Sequence, residues 1–549
     1  MIGRAGLLFR HLPAAIVVLL SFCIEPWAQA YNTLNSVRTA DNGDGTYTNP
    51  IIHADYSDPD VIRDGEDYYM TASSFNAVPG LPILHSKDLV NWKIVNHALP
   101  AIHPVEHFRK PQHGGGVWAP SIRFHKGEFY IFWGDPDFGI YMVKAKHPLG
   151  EWTKPLLVKE GKGLIDPCPL WDDDGKAYLI HAFAGSRAGI KSILVVSKMD
   201  PAGTKLLDDG VVVFDGHDAD PTVEGPKFHK IDGYYYISAP AGGVATGWQL
   251  VLRSKSIYGP YERRVVLAQG SLNINGPHQG AMVDTPGGEW WFIHFQDKGA
   301  YGRIVHLQPV VWKSGFPVIG EDKDADGTGE PVSTFRKPNV GRTWPIDAPQ
   351  DSDEFSNETL GPQWQWHGNP NGAWAFPFPS RGVLRMNSAE VPEGAKNLWD
   401  LPNLLLQKFP AEEFTATGKI RIDTRFEGER FALVVMGSDY SLIGIVQRGG
   451  KLAVSSVVVK DADKGTAETR SDEIELASRD VYLRLMVGKG ATCRFLFSVD
   501  GVSFTPVGRD FKAREGRWIG AKLGFVFTRP GRFNDAGTAD IDWFRFSRP

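Results

Sequence analysis

Five segments of this chain repeat one pattern, and few folds are open to a chain built that way. Each segment starts on a polar or aromatic residue, runs through a short apolar stretch to a glycine-containing turn, and returns as an aromatic strand. They open at Asp58-Pro-Asp-Val-Ile-Arg-Asp-Gly, Trp118-Ala-Pro-Ser-Ile-Arg-Phe-His-Lys-Gly, Asp166-Pro-Cys-Pro-Leu-Trp-Asp-Asp-Asp-Gly, Glu224-Gly-Pro-Lys-Phe-His-Lys-Ile-Asp-Gly and His278-Gln-Gly-Ala-Met-Val-Asp-Thr-Pro-Gly. Each reads as a hairpin, its second strand rich in Tyr, Trp and Phe. The leading residues stand 60, 48, 58 and 54 positions apart, room for four short strands and their turns, which is one propeller blade. The expected fold is all-β, with a five-bladed β-propeller over residues 31–325. Inner strands of a propeller surround one axis, so Asp58, Trp118, Asp166, Glu224 and His278 are expected to meet at one end of the channel.

The repeat stops near Gly320. A polar stretch, Asp322-Lys-Asp-Ala-Asp-Gly-Thr-Gly-Glu330, leads into a proline-punctuated linker over residues 326–350. From Asp351 the pattern changes to longer strands with period-two alternation, such as Gly418-Lys-Ile-Arg-Ile-Asp-Thr-Arg-Phe426 and Ala539-Asp-Ile-Asp-Trp-Phe-Arg-Phe546. Residues 351–549 are therefore predicted to form a separate antiparallel β-sandwich. By pattern alone it is either a carbohydrate-binding module or a structural partner of the propeller.

The first thirty residues read as a secretory leader rather than structure. Arg4, Arg10 and His11 precede an apolar run from Ala14 to Ile24, and Ala28-Gln29-Ala30 follows as a small-x-small cleavage site. Bulky Phe22 before Cys23 argues against a lipid anchor. Without Arg4, Arg10 and Glu25 the chain keeps 57 basic against 63 acidic residues, which excludes the basic footprint of a nucleic-acid partner. A secreted protein with no membrane association is expected. After cleavage only Cys168 and Cys493 remain, too few and too far apart for a disulfide framework.

Three carboxylates near one axis repel one another and raise each other's pKa. Hydrolysis of a glycosidic bond uses such an arrangement: one carboxylic acid protonates the leaving oxygen, and one carboxylate activates water or attacks directly. A third acid keeps the proton donor's pKa high. Asp58, Asp166 and Glu224 fit these parts, and Trp118 offers a face for a sugar ring. His278 is either a hydrogen-bonded core residue or a central metal ligand or orienting group. Asp172-Asp173-Asp174-Gly175 reads as a turn. Asp322, Asp324, Asp326 and Gly327 copy the start of a calcium-binding EF-hand loop, but Ser333 stands where the twelfth-position Glu belongs.

At these residues the sequence resembles glycoside hydrolase family 43, in particular its β-xylosidase-like members with a C-terminal sandwich. The motifs are Ser57-Asp58-Pro59-Asp60, Pro79-Gly80 leading into His85-Ser86-Lys87-Asp88-Leu89-Val90-Asn91-Trp92, Trp118-Ala119-Pro120-Ser121, Ile165-Asp166-Pro167, Glu224-Gly225-Pro226 and Gly302-Arg303-Ile304-Val305. The resemblance implies an inverting mechanism with Asp58 as general base, Glu224 as general acid and Asp166 tuning that acid. It implies substrate contacts from Phe75, Trp118, Ala119 and Arg303, and a sandwich of concanavalin A-like type. Trp518 would sit on a loop closing the pocket to admit only a chain end. No cofactor is implied for the chemistry, though a structural, hydrated calcium is implied near His278. Ser57 stands where many relatives carry Pro or Ala, a difference read as neutral.

The implied activity is exo-acting release of β-D-xylose from xylan-derived oligosaccharides of the plant cell wall. The alternatives are an α-L-arabinofuranosidase acting on arabinoxylan or arabinan, a retaining hydrolase of the invertase type, and a non-catalytic carbohydrate-binding propeller.

Overall fold

Alternating apolar strands with tight turns must bury one face, and here they do so as five sheets around an axis. The computed structural model describes Met1 and residues 36–549 other than 275. The leader read over residues 1–30 thus lies outside the described residues, Met1 apart. Each blade is a four-stranded antiparallel sheet with its strands in chain order. Blade I comprises Asp60–Asp64, Asp67–Thr71, Gly80–Ser86 and Trp92–Leu99. Blade II comprises Trp118–His125, Glu128–Asp135, Gly139–Ala145 and Leu156–Glu160. Blade III is Leu164–Trp171, Ala177–Phe183, Ile193–Met199 and Val211–Asp215. Blade IV is Lys227–Ile231, Tyr234–Ala241, Trp248–Ser254 and Glu262–Leu267. Blade V is His278–Asp284, Trp290–Asp297, Arg303–Lys313 and Phe316–Ile319.

Apolar side chains between neighbouring blades hold the ring, and the same packing closes it. Met70, Leu84 and Trp92 of blade I share one buried cluster with Ala281, Trp291 and Leu307 of blade V. A strap reinforces that seam. Thr46–Thr48 pairs with Thr334–Arg336, and Ile52 bridges to Val305 on the third strand of blade V. Between them Asn49 donates from Nδ2 to the carbonyls of Leu307 (2.8 Å) and Val332 (2.9 Å), and accepts from the Leu307 amide (2.9 Å).

Beyond the propeller the chain forms two facing sheets, of nine and eight strands. Gln365–Trp366 opens one of them and Thr538–Ser547 runs through the other. Their core is aromatic: the Trp364 ring lies 5.7 Å from Phe525 and 5.8 Å from Phe544. Val78, Ile102, Phe108 and Tyr301 of the propeller enter the same cluster, so the two domains share a continuous core. Backbone bonds join them as well, Val78 to Trp366 in both directions. Cys168 and Cys493 are free buried thiols. Among the described residues no helix is long and apolar enough to cross a membrane.

Asn49→Ala removes three hydrogen bonds and leaves the Val332 carbonyl and the Leu307 amide of the closing seam short of a partner, while the Leu307 carbonyl keeps the Tyr47 hydroxyl. A stability loss of about 1–3 kcal/mol is expected, read as a lower urea midpoint at unchanged slope. An unchanged midpoint would show that the strap contributes nothing to closure.

Candidate active site

At the entry of every inner strand the backbone makes the same detour. Trp118, Ile165 and His278 pair with Gly134, Ala182 and Phe295 of the adjacent strand, and the pairing then slips. Ser57 and Glu224 hold the matching place through backbone bonds to Ser73 and Pro240. The next residue is left-handed in all five blades: Asp58 (φ 54°), Ala119 (36°), Asp166 (57°), Gly225 (57°) and Gln279 (41°). These are bulges that re-aim side chains toward the axis. The expected register needs correcting at this point. Asp58 and Asp166 are equivalent, but Trp118, Glu224 and His278 stand one residue earlier than those acids, and Ala119, Gly225 and Gln279 take the equivalent position. Gly225 is glycine for a second reason: a Cβ there would lie 2.7 Å from the Gln279 side chain.

Every residue expected at the site except His278 lines one pocket of about 680 Å³: Asp58, Asp166, Glu224, Phe75, Trp118, Ala119, Arg303 and Trp518. Gln279, which sequence reasoning missed, lines it in place of His278. Phe75, Trp118 and Trp518 form an aromatic wall, the Trp118 ring 6.3 Å from Phe75 and 6.2 Å from Trp518, edge to face in both cases. Trp518 is about half exposed (49%) and stands at φ 66°.

The three acids differ in their partners. Asp58 accepts at Oδ2 from the hydroxyls of Ser57 (2.7 Å) and Ser73 (2.5 Å), and Arg303 Nη1 lies 3.3 Å from Oδ1. Arg303 also donates to Ser57 Oγ at 2.6 Å. Ser57 is therefore not neutral, as its sequence context suggested, but couples the arginine to the carboxylate. Asp166 accepts from the Gly225 amide at 2.7 Å. Burial drives its pKa up, and the Asp58 charge adds to that shift while Gly225 and Lys227 oppose it. Glu224 has no comparable donor. Burial first, then the charges of Asp166 and Asp58, raise its pKa well above the usual carboxylate range, against the pull of Arg303. About a quarter of its side chain (27%) remains open to the pocket.

His278 does not line the pocket; it is fully buried, its Nε2 3.7 Å from Glu224 Oε1. Burial and the nearby Arg303 push its pKa down to about 3, so the ring is neutral. Neither ring nitrogen has a hydrogen-bond partner. That orphaned nitrogen fits a ligand, but one imidazole and one carboxylate fall short of the roughly six to eight oxygens that calcium takes. Only a hydrated ion, with water supplying the remaining ligands, suits this donor set. Among the described residues the one group of acids gathered for a metal is Asp322, Asp324 and Asp326, with ligand atoms within 4.8 Å of one another. Asp322 there already pairs with Lys313 at 2.8 Å.

Asp55, also missed, clips the two domains together at the pocket. Its carboxylate accepts from the Arg303 amide (2.9 Å) and from the Gly520 amide of the sandwich (3.0 Å). Gly302 makes room for it, since a Cβ there would meet Asp55 at 2.4 Å. One carboxylate thus fixes both Arg303 and the loop carrying Trp518.

Three acids, an aromatic wall and a guanidinium in one pocket define a carbohydrate-processing site. Residues 47–317 match the model of glycosyl hydrolases family 43, and residues 352–547 match that of the beta xylosidase C-terminal concanavalin A-like domain. The chain is 33% identical over 548 residues to a beta-xylosidase of Formosa agariphila, covering 92% of this chain and 91% of that one. It is 29% identical to a non-reducing end alpha-L-arabinofuranosidase of Bacteroides ovatus, over 91% and 94% of the two chains. A solved xylan beta-1,4-xylosidase from Bacillus halodurans superposes with a TM-score of 0.80 at 25% identity, over 91% of this chain and 100% of that one. The chain belongs to glycosyl hydrolases family 43 and is a glycosidase.

Asp55→Ala orphans two buried amides and takes its charge away from Lys408 and Lys522, which oppose each other on neighbouring strands, Lys522 buried and Lys408 partly so. A stability loss of about 1–3 kcal/mol per orphaned amide is expected, measured by urea unfolding. KM should rise with it, because Trp518 and Arg303 lose their common anchor. A folded variant with unchanged KM would show that the clip does not set the pocket.

Proposed function

We propose that this glycosidase is exo-acting and inverting, and that it releases terminal β-D-xylose from xylan-derived oligosaccharides. The observation that carries the reading is a pocket walled on one side by Trp518 of the sandwich, with three acids of different environment at its base. Glu224, its pKa raised, holds a proton at neutral pH and donates it to the leaving oxygen. Asp58 takes a proton from the attacking water. Its Oδ2 is filled by the Ser57 and Ser73 hydroxyls, which leaves Oδ1 as the accepting atom. Asp166 does not exchange protons with substrate; its charge keeps Glu224 protonated. Arg303, stacked 4.8 Å from the Phe295 ring centroid, is held to donate to sugar hydroxyls. The hydrated calcium implied at His278 would supply positive charge beside Glu224 and nothing more. The leader pattern in the first thirty residues supports a location outside the cytoplasm, with cleavage near Ala30.

A second reading, α-L-arabinofuranosidase, is favoured by the Bacteroides ovatus relative, which matches the chain over both domains. Hydrolysis of p-nitrophenyl β-D-xyloside and α-L-arabinofuranoside decides between them. Glu224→Ala is expected to lose about 10²–10⁴-fold in kcat on the substrate that is used, with natural xylo-oligosaccharides as a check against the good leaving group. A wild-type protein inert on both substrates would overturn the proposal.

The pH profile tests the role of Asp166. Activity falls as pH rises through the raised pKa of Glu224, because the acid form is then lost. Asp166→Asn removes a repelling charge, so Glu224 gives up its proton at lower pH. The alkaline limb of kcat/KM is expected to move to lower pH, and an unmoved limb would remove Asp166 from this role.

A further inference from the structure

A small cavity of about 40 Å³ lies where three parts of the chain meet, and it shares no lining residue with the catalytic pocket. The segment leading into blade I contributes Arg38 and His53, the linker contributes Asp347, and the sandwich contributes Gln407 and Lys408. Arg38 donates from Nη2 to the carbonyls of Thr48 (3.3 Å) and Pro50 (2.6 Å). Lys408 donates to Gln365 Oε1 at 2.9 Å, its ammonium 5.0 Å from the centre of the Tyr56 ring. Every one of these partners is neutral, and no carboxylate among the described residues forms an ion pair with either cation. The charge of Asp55 reaches Lys408, but its two oxygens are given to the Arg303 and Gly520 amides. Asp347 lines the cavity too, yet the charges that weigh on its carboxylate are Lys93, His85 and Asp88. Burial lowers the pKa of Arg38 to about 10 and that of Lys408 as well, the direction taken by cations desolvated without a counterion.

The neutral groups of the lining also ask for an acceptor. Gln407 is buried, and its Nε2 has no hydrogen-bond partner. His53 is buried with its Nε2 3.2 Å from Lys298 Nζ, an atom that can only donate. The neutral ring therefore carries its proton on Nδ1, which has no partner. One orphaned acceptor, Gln363 Oε1, belongs to the lining, and it is turned to Gly361, where a Cβ would meet it at 2.3 Å. Water could take the N–H bonds but would leave two desolvated charges uncompensated, which is costly. At roughly 10–15 Å³ per water, the cavity has room for about three, and so for one monatomic anion but not for a bulky organic one. We propose that this cavity is a structural anion site, holding one halide ion between the segment before blade I, the linker and the sandwich. The ion stabilises the docking of the two domains and takes no part in the chemistry.

The test unfolds the full chain by heat while sodium chloride replaces sodium gluconate at constant ionic strength, and reads the response of wild type against that of Lys408→Met, which keeps the aliphatic stem and removes the charge. The wild-type midpoint is expected to rise by about 2 °C at a hundredfold excess of chloride over Kd, and that of Lys408→Met to stay flat. Gln407→Leu is the second variant should Lys408→Met fail to fold, and it should need about tenfold more chloride for the same rise. Bromide soaked into wild-type crystals locates the ion by its anomalous scattering, expected beside Lys408 and Gln407. Equal midpoints in the two salts, a chloride response of the same size in the variants, or no bromide in the cavity each overturns the proposal. Bromide in the cavity without a chloride response in solution marks an adventitious ion only, and overturns it as well.

Discussion

One backbone constraint underlies the site: a left-handed residue at the entry of each inner strand. For Asp58, Ala119, Asp166 and Gln279 this conformation costs about 1–3 kcal/mol each, and only surroundings that over-determine it can hold it. The neighbouring blades do so. The amide of Ala119 donates to Ser73 Oγ of blade I at 2.7 Å, and that of Gly225 donates to Asp166 of blade III. Strained amides are thus bonded across the gap between blades. Beneath them Asp60 accepts from the Ile122 amide and from Arg123, both at 2.6 Å, and Lys227 donates to Pro120 and Ser121, both at 2.9 Å. These ties link the inner strands of neighbouring blades below the acids.

The slip of one register position then separates the acids chemically. Asp58 and Asp166 sit on the bulge, where hydroxyls and an amide can reach them. Glu224 sits one residue before the bulge, and its longer side chain ends near a neutral histidine instead of a donor. Burial therefore acts on Glu224 with no hydrogen-bond donor against it, the two neighbouring charges add to it, and only the charges of Arg303 and Lys191 oppose. A carboxyl whose folded pKa is raised favours the folded state at low pH, and that contribution is lost as pH rises through the folded pKa. The fold tolerates this because the seams between blades and the shared core with the sandwich supply stability elsewhere. One backbone device, repeated five times, yields a paired carboxylate and a lone acid from similar sequence motifs.

The repeat, its period and the acids were legible because hairpin turns and aromatic strands recur in the chain itself. The period located the axis, and acids at matching places in the repeat pointed to it. The bulge was not legible. It shifts pairing by one residue without changing the hydrophobic pattern, so Gln279 was passed over for His278. Asp55 is not singled out by the sequence, and Ser57 reads there as neutral, for another reason. Asp55 acts on Gly520, 465 residues away, and Ser57 on Arg303, 246 residues away. Short polar side chains beside a motif carry no periodic signal, and only the folded chain shows what they hold.

The sandwich illustrates the same limit from the other side. Its alternating strands announced a β-domain but left open whether it binds carbohydrate independently or completes the propeller. The shared core and the backbone bonds between Val78 and Trp366 make it a structural partner, and the Asp55 clip makes that partnership local to the pocket. A wall contributed from residue 518 is positioned by a carboxylate at residue 55 that also fixes the arginine at residue 303. Any shift of the sandwich against the propeller would therefore move Trp518 and pull on the carboxylate that holds the Arg303 amide. That coupling is why a pocket assembled from two domains keeps the fixed geometry that a single sugar ring requires.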